Sequence, residues 1–287
     1  MPVRIVTDST CDLPPEVIAE HRISVVPLYI NFGDRSYLDG VELSRDAFYA
    51  RLPSADPPPT TSAPGTDAFV EMYRQLIAEG ASGILSIHVG SALSNTFNVA
   101  QMASQAVTDV PLRVFDGGQI TLATGFLAVH AARLAASGAS LDEIAASVEA
   151  LAARTHAFAA LDTLEFLRRS GRVSLILFSV ATLLKVKPLL MMHAGQVVPG
   201  RARTTRGAID RLIQMALDLG PLDSVGLVHA AAPDRLEMLR QEVESKLPGV
   251  PIRMVGDVAP VIGAHVGPGA VGLICLQAPG PRAQGVA

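Results

Sequence analysis

Short β-branched runs alternate with longer segments of helical apolar periodicity along this chain, and that alternation constrains the fold more than any single motif. Val3 to Thr7 reads as a strand, the polar turn Asp8-Ser9-Thr10 follows, and Pro14 with Glu16 suits the first turn of a helix reaching about His21. The same strand–turn–helix rhythm recurs at Gly83–His88 and Leu112–Phe115, and strand-like runs return at Thr155–Ala160 and Ser224–Ala230. Such alternation predicts an α/β protein with a mainly parallel sheet. At 287 residues the chain exceeds what one small core holds, so two α/β domains are expected, 1–155 and 156–287.

Local signals place further elements. Ser24 to Phe32 reads as one strand, Gly33-Asp34 as a turn, and Ser44 as the cap of a short helix carrying Phe48, Tyr49 and Leu52. Five prolines between Leu52 and Gly65 predict an irregular surface loop. Helices are expected over Thr66–Glu79, from the Gly90–Asn95 turn to about Val107, and over Thr121–Ala136, Leu141–Ala153, Asp162–Arg169, Thr205–Asp218 and Pro233–Lys246. Pro188 to Val198 should hold a strand pair, and Ile252–Val255 and Ala270–Gln277 the closing strands. The longest apolar stretch, Val173 to Met192, contains Lys185, Lys187 and Pro188, so it reads as buried core rather than a membrane span. Pro279 to Ala287 reads as a frayed tail.

Composition narrows function. With 49% hydrophobic and 17% charged residues the chain can bury a large core and is not disordered. A net charge of −4, with lysine only at positions 185, 187 and 246, gives no cationic field for nucleic acid. Cys11 and Cys275 are too few for a disulfide framework or a cysteine zinc site; they fit a reducing cytoplasm, and the first twelve residues lack the pattern of a signal peptide. No P-loop or Rossmann glycine spacing occurs, the seven histidines show no metal-ligand spacing, and no cofactor is expected.

Asp8 and Asp12 bracket a turn without forming an aspartyl-phosphatase pair, because position 10 is Thr; Asp8 and Ser9 read as turn and capping groups, and Cys11 as a buried structural thiol. Ser94 is not in a Gly-x-Ser-x-Gly elbow. What remains is a set of hydroxyls at loop and helix-entry positions, Thr60, Thr61, Ser62, Ser91, Ser94 and Thr96, in a chain rich in aliphatic residues. Each alone reads more simply as a helix cap, but together such neutral donors can hold a carboxylate or phosphate.

Eight segments in a specific order resemble the DegV family of bacterial fatty-acid-binding proteins, over almost the whole chain. They are Val6–Pro14 (VTDSTCDLP), Ser36–Gly40 (SYLDG), Thr61–Pro64 (TSAP), Ser91–Thr96 (SALSNT), Leu161–Arg172 (LDTLEFLRRSGR), Lys185–Leu189 (KVKPL), Arg203-Thr204 and Ile262–Gly269 (IGAHVGPG). The resemblance implies two α/β domains enclosing one long-chain fatty acid, with the carboxylate held by a Thr and a Ser that map to Thr61 and Ser94. It also implies a non-catalytic role: the chain presents the carboxylate to a separate ATP-binding fatty acid kinase subunit, which forms an acyl phosphate for phospholipid metabolism. Ser62, Arg203 and His265 would then touch the head group or the kinase. Asn95 stands where the family often has Gly, a substitution the turn should accept because Asn tolerates the left-handed conformation. Phe115-Asp116-Gly117 lacks a serine common after that aspartate. The competing expectation is a stand-alone serine hydrolase or acyltransferase using Ser94 with His265 as base.

Overall fold

The computed structural model of the chain describes residues 2–172 and 186–279. The first half runs β1 (Val3–Asp8), α1 (Pro15–Glu20), β2 (Ser24–Val26), β3 (Tyr29–Phe32), β4 (Arg35–Leu38), α2 (Arg45–Arg51), β5 (Thr60–Ser62), α3 (Thr66–Ala78), β6 (Gly83–His88), α4 (Thr96–Ser104), β7 (Leu112–Asp116), α5 (Leu122–Ala136) and α6 (Leu141–Ala152). The second half runs β8 (Thr155–Ala160), α7 (Glu165–Arg169), β9 (Lys187–His193), β10 (Gln196–Ala202), α8 (Thr205–Asp218), β11 (Leu222–His229), α9 (Pro233–Lys246), β12 (Ile252–Asp257), α10 (Pro260–Val266) and β13 (Val271–Gln277).

The α/β class is as expected, but the parallel pairing is confined mainly to one sheet. Strands β2-β1-β6-β7 form a wholly parallel sheet. Strands β10-β9-β8-β13-β11-β12 form a mixed sheet in which, among the described residues, only β11 and β12 pair in parallel. A small antiparallel sheet, β4-β3-β5, sits apart from both.

Helix α5 joins the two large layers. Every residue from Leu122 to Val129 is buried, so this part of the helix is covered on all sides, while Arg133 in the last turn is exposed. It packs against β1 and β6 of the parallel sheet and against β8, β11 and β13 of the mixed one. Its small residues permit this: a Cβ at Gly125 would stand 2.6 Å from the carbonyl oxygen of Cys11. One continuous core results, from Ile5 and Leu85 through Phe126 and Leu127 to Ala157, Val228 and Ile274.

Three local expectations change, and one helix is added. Ser24–Phe32 is two strands in two sheets, because Pro27 lacks an N–H and the Leu28 N–H goes to the Ser9 hydroxyl at 3.1 Å instead of a ladder. The proline-rich loop contains β5, which pairs with β3 through Thr61 and Ile30. A helix with no expected counterpart follows β12: Pro260 starts α10, where a missing N–H costs nothing, and Gly267 at φ 73° ends it. Asn95 sits at φ −78°, so its tolerance of left-handed geometry is not used. Residues 173–185 of the expected buried apolar segment, including Lys185, and residues 280–287 of the tail lie outside the described residues.

Candidate functional site

Period-two alternation along β5 determines which hydroxyl turns inward. Thr60 and Ser62 are exposed and share Asn31 as donor, its Nδ2 lying 3.4 Å from each hydroxyl oxygen, whereas Thr61 is half-buried on the opposite face. There the Thr61 hydroxyl meets Nε2 of His265, on the last turn of α10, at 2.9 Å. Burial pushes the His265 imidazole down to about 4, with the nearby Arg172 charge acting the same way, so the ring is neutral at physiological pH. Its Nδ1 is buried with no hydrogen-bond partner among the described residues.

Ser94 lies in the turn between β6 and α4. Its hydroxyl accepts the Thr96 N–H at 3.3 Å and shares a 2.8 Å bond with the Thr96 hydroxyl, so it opens α4 as well as facing inward. Asp116 at the end of β7 ties this turn down by accepting the N–H groups of Ser91 and Gly118 at 3.1 and 3.0 Å.

Thr61, Ser94 and His265 line one cavity of about 170 Å³, together with Thr10, Thr121 and Arg172. The rest of the wall is almost entirely aliphatic, drawn from both halves of the chain: Leu28, Leu93 and Ile120 on one side, Leu161, Leu190, Met192, Val228 and Val271 on the other. The aliphatic part of this wall offers a water molecule none of the two to four polar partners it needs. Its chemistry is that of an apolar tail with one polar end.

The remaining expected residues are elsewhere. Ser62 points away from the cavity, and Arg203 is exposed in the turn between β10 and α8. The hydrolase arrangement does not form: the His265 Nε2 contact is Thr61, and the Ser94 hydroxyl is engaged with Thr96. Sequence reading did not single out Arg172, the cation in the wall, or Thr10, although both lie inside the segments that carry the family resemblance.

A second feature was also missed. Asp8, His88, Ser86 and Tyr73 form a buried chain: Asp8 Oδ2 to His88 Nδ1 at 3.0 Å, His88 Nε2 to Ser86 Oγ at 2.7 Å, and the Tyr73 hydroxyl donating to Ser86 at 2.8 Å. It has the connectivity of a catalytic triad, but Asp8, Ser86, His88 and Tyr73 are all fully buried, with no access for a substrate. Burial alone would raise Asp8; the His88 bond and charge, with Thr10 and the Val89 N–H, outweigh it and hold the carboxyl below its ordinary range. Asp8 thus anchors Thr10 and Val89, which both line the cavity. Cys11 and Cys275 are buried thiols whose burial raises them well above the ordinary range, as expected for structural residues.

No helix among the described residues is long and apolar enough to cross a membrane. Nor does any group of three or more His, Cys, Asp or Glu side chains among them suit a metal ion.

A family model described as an uncharacterised protein of the DegV family matches residues 2–278. A DegV domain-containing protein of Streptomyces coelicolor is 40% identical over 276 residues, covering 95% of this chain and 97% of its own. Among solved structures, one described as showing fatty acid binding of a DegV family protein from Thermus thermophilus matches with a TM-score of 0.86 at 30% identity, covering 97% of this chain and 100% of that one. DegV from Bacillus subtilis, described as a fatty acid binding protein, gives 0.85 at 31% identity, covering 96% and 100%. A stearic-acid-binding protein from Eubacterium ventriosum gives 0.87 at 26% identity, covering 96% and 98%.

Proposed function

The chain belongs to the DegV family, and from that premise we propose that it binds one long-chain fatty acid in the cavity between its two α/β halves, residues 1–155 and 156–287. The observation that carries this reading is the division of the cavity wall: apolar side chains over most of it, with Thr10, Thr61, Ser94, Thr121, Arg172 and His265 as its polar groups. The carboxylate sits against Thr61 and Ser94. His265 contributes a neutral ring whose buried Nδ1 lacks a partner among the described residues, and Arg172 supplies a positive charge.

The energetics divide the labour. Each buried methylene is worth about 0.8 kcal/mol, so roughly a dozen contribute on the order of 10 kcal/mol before ordering and desolvation costs. Hydrogen bonds to a charged oxygen add about 1.5 to 3 kcal/mol each and set which end faces outward. The tail determines affinity and the head-group residues determine orientation.

The protein is a non-catalytic carrier: it acts in the cytoplasm and presents the carboxylate to a separate ATP-dependent kinase subunit for conversion to acyl phosphate. The exposed Ser62 and Arg203 belong to the surface that subunit would meet rather than to the cavity.

The test is organic extraction and mass spectrometry of the purified protein, native and denatured. One fatty acid per chain supports the reading; no bound lipid and no uptake of added fatty acid overturns it. Incubating loaded protein with an ATP-binding fatty acid kinase subunit tests the second half: acyl phosphate should form with that subunit and ATP, and not without either.

A further inference from the structure

Asp12 is a buried carboxylate that does not itself line the cavity but bonds to a residue that does. It follows the 3-10 turn Ser9–Cys11 at φ 51° and is 1% exposed. Oδ2 accepts the hydroxyl proton of Thr121, Oδ1 accepts the Ala259 N–H at 2.7 Å, and the Arg45 guanidinium lies 4.0 Å from Oδ1.

These partners begin separate elements. Thr121 lines the cavity and precedes α5; Ala259 precedes α10, which carries Ile262, His265 and Val266 into the cavity wall; Arg45 opens α2. Two of the three junctions need help. Thr121 holds φ 57° and ψ −148°, a region populated essentially by glycine, and a β-branched residue there costs about 1 to 3 kcal/mol. Helix α10 has no side-chain cap at Ala259, and Pro260 has no N–H to offer.

We infer that Asp12 is a positioning residue that ties the strained Thr121 corner to the start of α10, and so sets where His265 stands opposite Thr61. The inference rests on the reading that this end of the cavity receives the fatty-acid carboxylate. Burial raises the Asp12 carboxyl to about 7, against the Thr121 bond, Arg45 and the Ala259 N–H, so a neutral carboxamide is a close substitute.

The test uses delipidated full-length protein titrated with oleate and stearate, with imidazole ¹⁵N resonances reporting the His265–Thr61 contact and denaturant unfolding reporting stability. Asp12→Ala should weaken binding about tenfold, the loss of roughly one hydrogen bond's worth of alignment, and shift the His265 resonances. Asp12→Asn should bind within about threefold of wild type, because the carboxamide oxygen takes the Ala259 N–H and the Thr121 hydroxyl can turn to accept. Adding Thr121→Gly to Asp12→Ala should restore stability by easing the corner, yet leave binding weak because α10 is still untied.

A folded Asp12→Ala/Thr121→Gly protein with wild-type affinity and unshifted His265 resonances overturns the inference. Should neither alanine variant fold, Asp12→Glu carries the test, since it keeps the carboxyl group but displaces it by one methylene: shifted resonances with weaker binding support the role, and wild-type values for both overturn it. Wild-type protein that takes up neither fatty acid overturns the ligand reading instead, and the His265 resonances alone then decide the positioning role.

Discussion

The Thr61 hydroxyl and His265 Nε2 meet at 2.9 Å across 204 positions of the chain, one on a three-residue edge strand and the other on a two-turn helix. Thr61→Val keeps the side-chain shape and removes the hydroxyl. Fatty-acid affinity should fall about tenfold to a hundredfold, the worth of one hydrogen bond to a charged group. The melting temperature should stay within a few degrees, because Thr61 is only half-buried. Equal affinity in a fluorescent fatty-acid displacement assay would remove Thr61 from the head-group site.

Asp39 makes stability depend on pH. Burial raises its carboxyl to about 7, against the nearby Ser9 hydroxyl, Arg45 and the Val261 N–H, and no well-formed hydrogen bond reaches its oxygens among the described residues. A folded-state value above the ordinary 3.8 means the native protein holds the proton more tightly. Its contribution is therefore greatest below pH 3.8 and is lost as pH rises toward 7. Asp39→Asn should stabilise the protein by on the order of 2 kcal/mol at pH 8 and by much less at pH 5. Denaturant midpoints at the two pH values measure this, and an equal change at both would show that Asp39 ionises normally.

The buried Asp8–His88 contact should behave in the opposite way to a surface ion pair. Removing one partner leaves the other polar group stranded in the core, with a cost of about 3 to 5 kcal/mol. Asp8→Ala also frees the Thr10 and Val89 N–H groups. It should therefore unfold at markedly lower denaturant concentration than Arg168→Ala, which breaks the exposed pair with Glu165 and should change stability by less than about 1 kcal/mol. Comparable losses in the two variants would contradict the burial of the network.

Gly267 ends α10 at φ 73°, and a Cβ there would stand 2.1 Å from the Phe166 ring of α7. Gly267→Ala meets both backbone strain and a clash in a packed contact, so it should cost about 2 kcal/mol or more. Because α7 brings Leu167 and α10 brings His265 to the cavity, fatty-acid affinity should fall with it. Hydrogen exchange should show the loss centred on residues 165–169 and 260–266; a uniform loss across the chain would argue against a local coupling of the two helices.

Much of the architecture was legible because it depends on local pattern. The short strand-like runs at β6, β8 and β11 and the helical runs at α3, α8 and α9 lie within a few residues of where they were expected. Ser140 forms a full capping box with Glu143, and Ser44 caps α2 as its position suggested. Thr61 and Ser94 were reached through resemblance, and both line the cavity. Elements of a few residues, β4, β5 and α10, were overlooked, since three to seven residues carry too little periodicity to stand out beside proline and glycine.

The order of strands and helices, the apolar character of α5 and the hydroxyl-rich turns are properties of neighbouring residues, so the amino-acid sequence alone determines them. The partners of polar groups are decided by packing. Asp12 with Ala259, Asp8 with His88 and Thr61 with His265 are separated by 247, 80 and 204 positions, and no local pattern records which of them will meet. The same holds for charge: burial moves His265 down to about 4 and Asp39 up to about 7, and burial exists only once the two sheets have closed on α5.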